Sequence, residues 1–369
     1  MKLIVEAHRD ELLKPLQAVA GIVERRQTLP ILSNVLIERR GAALFLTATD
    51  LEIQIRASFD CGGDTGDSQF TVSARKLVDI LRALAEATPI RMNITDSRLH
   101  LQAGSSRFVL HTLSAEEFPR LPELAPDAPT LRVAQGVLKR LLGKVQFAMA
   151  QQDVRYYLNG LLIVVEGSSL LAVATDGHRL ALAKSEVEGG HARQEVILPR
   201  KTVLELMRLL EDGEQPLEFR FGGNQVAFSA GGRLILSKLV DGKFPDYQRV
   251  IPKEQPKRFP LARALIQQAL QRVGVLANDK LRGVRWIITP DNLRIVCNNA
   301  EQEEAQEELA IAYQGDPLDI GFNISYLLDV FSNVPASEFT CEFGDASSSA
   351  LITLPQDPDF RYVVMPMRI

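Results

Sequence analysis

The chain has 369 residues, of which 46% are hydrophobic and 24% charged, and a formal net charge of −4. That length exceeds one ordinary core and suits two or three domains, while no apolar run reaches the roughly 18 residues of a membrane span. Charge enters too early at the N-terminus for a secretory signal, and Cys61, Cys297 and Cys341 are too scattered for a disulfide framework or a zinc site. A cytoplasmic protein without metal or cofactor is therefore expected, and any basic surface for nucleic acid has to be local.

In chain order, apolar residues recur every third or fourth position over 12–23, which predicts a helix with one buried face. A strand is expected over 31–37, then a strand–turn–strand over 46–55 around Asp50. A second helix follows at 73–81, and a late strand at 107–113 runs into Phe118-Pro119. Pro119, Pro122, Pro126 and Pro129 mark a joint. The same series then repeats. A helix is expected at 138–149, a strand at 158–165, and a hairpin at 170–183 whose Asp176-Gly177 is a strong turn signal. Next come a helix at 198–206, with Pro199 suited to its first turn, and a strand at 233–239 running into Phe244-Pro245. Pro252, Pro256 and Pro260 mark the second joint. The third pass has a helix at 264–276, a strand at 283–288, a hairpin at 295–304 about Asn299, a helix at 322–330 and a closing strand at 362–367.

Asp50, Asp176 and Asn299 thus recur at near-equal intervals, so the chain reads as three copies of one unit. Domains are expected at 1–127, 128–253 and 254–369, each with two helices and several antiparallel strands, an α+β class with helices gathered on one face of the sheets. The six expected helices together are net basic and the remainder net acidic. Ordinary solvated helix faces would look similar, but diffuse positive charge also suits contact with phosphates that reads no bases.

Motifs for catalysis are missing. No phosphate loop, HExxH, Gly-x-Ser-x-Gly or Cys-x-x-Cys occurs, and the Gly-rich stretch 62–66 reads as a strand connection. Asp176, His178 and Arg179 could serve a hydrolase, but no nucleophile or metal set accompanies them. The first repeat keeps the Asp but has Glu52 and Ile53 in place of the His-Arg pair. The turn therefore belongs to the fold, and His178-Arg179 to a binding role of the middle third. A scaffold that binds only proteins is the third reading.

Several stretches carry a family resemblance: Gln-Asp-Val-Arg-Tyr-Tyr-Leu-Asn-Gly at 152–160, Ala-Thr-Asp-Gly-His-Arg-Leu at 174–180, Leu-Pro-Arg-Lys at 198–201, Ser-Lys-Leu-Val-Asp-Gly-Lys-Phe-Pro-Asp-Tyr at 237–247 and Tyr-Val-Val-Met-Pro-Met-Arg at 362–368. Thr-Leu-Pro-Ile-Leu at 28–32 and Phe-Asn-Ile-Ser-Tyr at 322–326 fit as well. In the same order over the whole chain, they resemble the bacterial DNA sliding clamps, the beta subunits of DNA polymerase III. The resemblance implies three domains of the DNA-clamp fold in a head-to-tail homodimer. Helices would line the inside of a ring around duplex DNA, with antiparallel sheets outside. It implies a non-catalytic processivity factor that tethers the polymerase III alpha subunit and other clamp-binding polymerases and repair proteins, and is opened by a clamp loader.

The resemblance also implies site residues. Clamp-binding peptides would meet Leu158, Thr175, Gly177, His178, Arg179, Leu180, Pro245, Arg249, Val250, Asn323, Tyr326, Val363, Val364, Met365, Pro366, Met367 and Arg368. On residue pattern alone, Met365 and Met367 would be strand core. DNA would meet Arg26, Arg75, Lys76, Gln152, Arg155, Tyr156, Arg200 and Lys201. For the joint between subunits, the acidic run Glu301, Glu303, Glu304 with apolar Val275 and Leu276 is expected to face Arg98, Arg107, Phe108 and Leu110. Leu281, where the family often has an aromatic residue, and Ile369, where Leu is common, depart from the pattern but stay apolar.

Overall fold

The computed structural model describes residues 2–24, 29–62, 66–277 and 282–369. They form two compact units, Met1–Gln135 with Arg208–Leu239, and Gly136–Met207 with Val240–Ile369.

The first unit opens with β1 (Lys2–His8) and α1 (Arg9–Ala20). Helix α1 starts before the apolar periodicity does, because the Glu11 carboxylate accepts the His8 backbone N–H at 2.7 Å. It buries Leu12, Leu13, Leu16 and Val19. Residues Pro30–Ser33 form a 3₁₀ turn rather than the expected strand, since proline at its start supplies no N–H to a sheet. The sheet strands follow: β2 (Asn34–Arg40), β3 (Ala43–Thr49), β4 (Ile53–Asp60) and β5 (Ser68–Ser73). Ser73 caps α2 (Ala74–Ala83) by accepting the Lys76 N–H. Then come β6 (Pro89–Thr95), β7 (Arg98–Ala103), β8 (Ser106–Leu113) and β9 (Thr130–Ala134), which leads into α3 (Gln135–Gly143). Helix α3 stops at Gly143, short of the expected 149, and a 3₁₀ turn follows at Gln146–Ala148.

In the second unit β10 (Gly160–Thr175) and β11 (Arg179–Pro199) form one long hairpin. Leu158 lies in a 3₁₀ turn before the strand. Pro199 is the last strand residue, not the first helical one: it faces Gly160 in the ladder, and α4 (Arg200–Leu209) begins one residue later. Back in the first unit, β12 (Pro216–Gly222), β13 (Gln225–Ala230) and β14 (Arg233–Lys238) complete an antiparallel twelve-stranded sheet, in which β14 pairs with β4.

The second unit continues with β15 (Lys257–Ala262), α5 (Arg263–Val273), β16 (Gly283–Thr289), β17 (Asn292–Asn298), β18 (Glu304–Ala310) and β19 (Leu318–Asn323). Asn323 caps α6 (Ile324–Asn333) through the Ser325 N–H at 2.9 Å. Strands β20 (Glu338–Phe343), β21 (Ala350–Leu354) and β22 (Asp357–Val364) finish the chain's regular structure. Strand β22 ends at Val364, three residues before the expected end, and pairs with β11. The unit holds a six-stranded and a four-stranded antiparallel sheet. Trp286, Phe322, Phe259 and Phe343 stack into the aromatic core of its C-terminal part, with Trp286 and Phe322 edge to face at 5.8 Å.

Candidate functional site

The first two of the related turns share one structure, and the third is closed in a similar way by its Asn. Asp176 Oδ1 accepts the N–H groups of His178 (2.9 Å) and Arg179 (3.1 Å), while Thr175 Oγ1 donates to Arg179 O at 2.6 Å. Asp50 Oδ1 likewise accepts from Glu52 (2.9 Å) and Ile53 (2.8 Å), and Thr49 Oγ1 donates to Ile53 O. Asn299 Oδ1 accepts from Glu301 and Glu303. A short carboxylate or amide closes its own turn in each repeat. The turn places one residue at positive φ, where glycine is the unstrained choice: Gly177 in the middle repeat, Leu51 in the first.

The middle turn adds a buried cation. The Arg179 side chain is 9% exposed. Its Nε donates to Asp176 Oδ2 at 3.0 Å, one terminal nitrogen to Asp329 Oδ2 on α6 at 2.5 Å, and the other to Phe147 O at 2.7 Å. The guanidinium lies 4.5 Å from the Tyr326 ring centroid, and the His178 ring stacks with the same tyrosine at 6.4 Å between centroids. Burial raises the Tyr362 phenol well above its ordinary range, although Arg179 pulls it down; neutral, it donates to Tyr326 O at 2.8 Å. The Asp176 carboxylate is thus committed to its turn and to Arg179. The hydrolase reading has no support. Among the described residues no group of three or more His, Cys, Asp or Glu side chains could hold a metal ion.

Above this network lies a mostly apolar cavity of about 190 Å³. Its walls are Leu158, Thr175, Gly177, His178, Arg179, Leu180, Pro245, Val250, Val363 and Met365, all expected, with Arg155, Tyr157 and Tyr247. The other expected peptide residues surround it. Tyr326 lies under His178 and Arg179, Asn323 caps α6, and Val364 is buried. Arg249 is exposed and paired with Asp246 at 2.9 Å. Pro366 and Met367 are half-buried and Arg368 exposed. Met365 and Met367 are not strand core: both lie past β22, and Met365 is 38% exposed. The two tyrosines lie within the motifs at 152–160 and 237–247 but were not among the expected peptide residues, although each stands one or two positions from one that was.

The expected DNA residues divide. Arg26 is outside the described residues. Arg75 and Lys76 stand exposed on the first turn of α2, Arg75 within 3.8 Å of Asp79. Gln152 and Tyr156 are exposed. Arg155 is exposed too, but it forms a two-point pair with Asp153, at 2.9 and 2.8 Å, and donates to Asp176 O, and it lines the groove. That pair holds the Asp153 carboxyl down at about 2. Arg200 is half-buried against Met149 O, with burial and Arg179 lowering its pKa, and Lys201 is half-buried beside it.

The expected interface residues lie on or near two strands, β8 and β18, that each have an open border. In one unit, β8 pairs with β7 along its length but with β5 only through Thr112 and Leu113, so one side of 106–110 is open. Arg98 and Arg107 are exposed there, Phe108 and Leu110 half-buried, and Val109, not expected, is 55% exposed. In the other unit β18 is the outermost strand of its sheet. Glu301, Glu303 and Glu304 are exposed near it, Val275 is 80% exposed and Leu276 half-buried.

A chain of three like turns, with helices on antiparallel sheets and charged residues spent on shaping a groove, is a binding protein of the DNA-clamp fold. Family models for the N-terminal, central and C-terminal domains of the DNA polymerase III beta subunit match residues 1–122, 132–246 and 248–368. The chain belongs to that family, and it is a DNA sliding clamp. It is 46% identical to the beta sliding clamp of Pseudomonas putida over 365 residues, covering 98% of each chain. It is 43% identical to that of Escherichia coli over the full 369 residues of both. The crystal structure of the Pseudomonas aeruginosa DNA polymerase III subunit beta matches with a TM-score of 0.95 at 44% identity, over 99% of this chain and all of that one. A second structure from that organism, a clamp bound to griselimycin, matches with a TM-score of 0.96.

Proposed function

We propose that this sliding clamp is a non-catalytic, cytoplasmic subunit that closes as a head-to-tail homodimer of three-domain chains around duplex DNA. The domains run over 1–127, 128–253 and 254–369. The ring holds the polymerase III alpha subunit, other polymerases and repair proteins at the template by raising their effective concentration there. A clamp loader opens it. No cofactor takes part.

The groove at the Asp176–Arg179 turn carries the partner reading. It is concave, largely apolar and floored by one fully paired arginine, and Met365 gives it an adaptable wall. A peptide of a few apolar residues with one or two polar groups fits that chemistry. Arg155 belongs to this site more than to a DNA surface. For DNA, the exposed Arg75, Lys76, Gln152 and Tyr156 are the stronger candidates. For the dimer, the open borders of β8 and β18 are the joining edges, because an unpaired strand edge otherwise invites promiscuous pairing.

Titration with a fluorescein-labelled peptide from the clamp-binding segment of the alpha subunit tests the groove. Deletion of Met365–Ile369 should abolish binding and leave the dimer mass unchanged. Unaltered peptide affinity in the truncated chain would reject the assignment.

A further inference from the structure

Segment Met365–Ile369 crosses the second unit on two backbone hydrogen bonds. Met365 N donates to His178 O at 2.9 Å, and Met367 N donates to Gly321 O at 2.9 Å. Gly321 lies in β19 opposite Arg285 of β16. A Cβ there would fall 2.5 Å from Met367 O and 2.6 Å from Ile369 Cδ1. The same Ile369 side chain reaches Gly283 on β16, where a Cβ would fall 3.2 Å from it. Two glycines on adjacent strands thus leave a bare patch of sheet, and the segment lies on it.

We infer that Gly321 is a positioning residue for the peptide groove: its missing side chain is the space into which Met367 and Ile369 settle, and this seat sets Met365 against the cavity. The inference rests on the groove being the peptide site. Gly321 is outside the cavity wall, so it acts only through the segment. The backbone oxygen of Met367 is the first obstacle to a Cβ, and it cannot rotate away as a side-chain end could. Any residue but glycine must lift the segment. Only Pro366 separates Met367 from Met365, whose own anchor is a residue of the groove, so a lift at Gly321 is felt at Met365 and His178. Gly321 sits in an ordinary strand register, so β-propensity alone would favour a larger residue; the close approach is the reason for glycine.

The test measures affinity for the labelled alpha-subunit peptide in four chains: wild type, Gly321→Ala, a chain ending at Pro366, and the truncation with Gly321→Ala. Gly321→Ala should weaken binding about tenfold, as a forced overpacked contact does. In the chain ending at Pro366 the same substitution should change neither affinity nor melting temperature, because nothing remains to be lifted. A general weakening of the sheet would instead appear in both backgrounds. Equal losses in both, or wild-type affinity for Gly321→Ala, overturns the inference. If the wild type itself fails to bind the peptide, the groove reading falls instead. If Gly321→Ala gives no folded protein, Ile369→Ala is the second variant: it removes the contact with both glycines and should weaken binding about threefold, and unchanged affinity again overturns the inference.

Discussion

Arg179 and Asp50 show how one turn can serve two ends. Asp50 closes its turn by accepting the Glu52 and Ile53 N–H groups, so Asp50→Ala should cost about 1–2 kcal/mol of stability by orphaning them. Arg179→Ala should cost more, about 3–5 kcal/mol, because it strands the Asp176 carboxylate and the Phe147 carbonyl below the groove, and it should also abolish peptide binding. Chemical denaturation of both variants, with peptide titration of each, checks the contrast; equal stability losses, or peptide binding retained in Arg179→Ala, would contradict it. Asp153 gives a second test at this scale. Its folded pKa is depressed, so its bond to Arg155 is fully present above the ordinary carboxylate pKa and is lost only as the pH falls through about 2. Carboxyl NMR should find the Asp153 midpoint at about 2 in the wild type and nearer the ordinary value in Arg155→Ala. An unshifted midpoint in the wild type would remove the pair.

At the scale of elements, the repeat was legible because its signals are local. Turn residues and apolar residues on one helix face act over a few residues, and α2, α6 and the three hairpins stand within a few residues of where these signals put them. Other boundaries moved where a distant partner decided. Pro199 closes β11 because Gly160 lies opposite it, and Met365 leaves β22 because His178 O and Gly321 O take the chain elsewhere. The place of Arg155 in the groove wall was not legible in the sequence, since an acidic residue two positions away is common among the arginines and only the fold brings Asp176 O to it. The strand borders of β8 and β18 were legible only as composition: an acidic run and a pair of arginines. Exposed ion pairs contribute about 0–1 kcal/mol each, so the apolar residues should carry the affinity and the charges the orientation. Val275→Ala with Leu276→Ala should therefore yield monomers at concentrations where the wild type is dimeric, as read by sedimentation, with Arg107→Glu weaker in effect and more visible at low salt. A double variant still fully dimeric at nanomolar concentration would refute this placement of the joint.

For the whole molecule, a clamp must hold DNA firmly and yet move along it. Base-reading contacts would arrest it, while diffuse contacts to phosphate let it slide, and a closed ring supplies retention without affinity. A net charge of −4 fits that division: the molecule as a whole is not drawn to nucleic acid, and only local basic surface meets it. Direct contact should weaken as salt rises, whereas retention by topology should not. The most direct measurement loads the clamp onto nicked circular DNA with a clamp loader and follows retention before and after the circle is cut. Retention on the circle at high salt, with release on linearisation, is the predicted result; equal retention on both forms would contradict a topological hold.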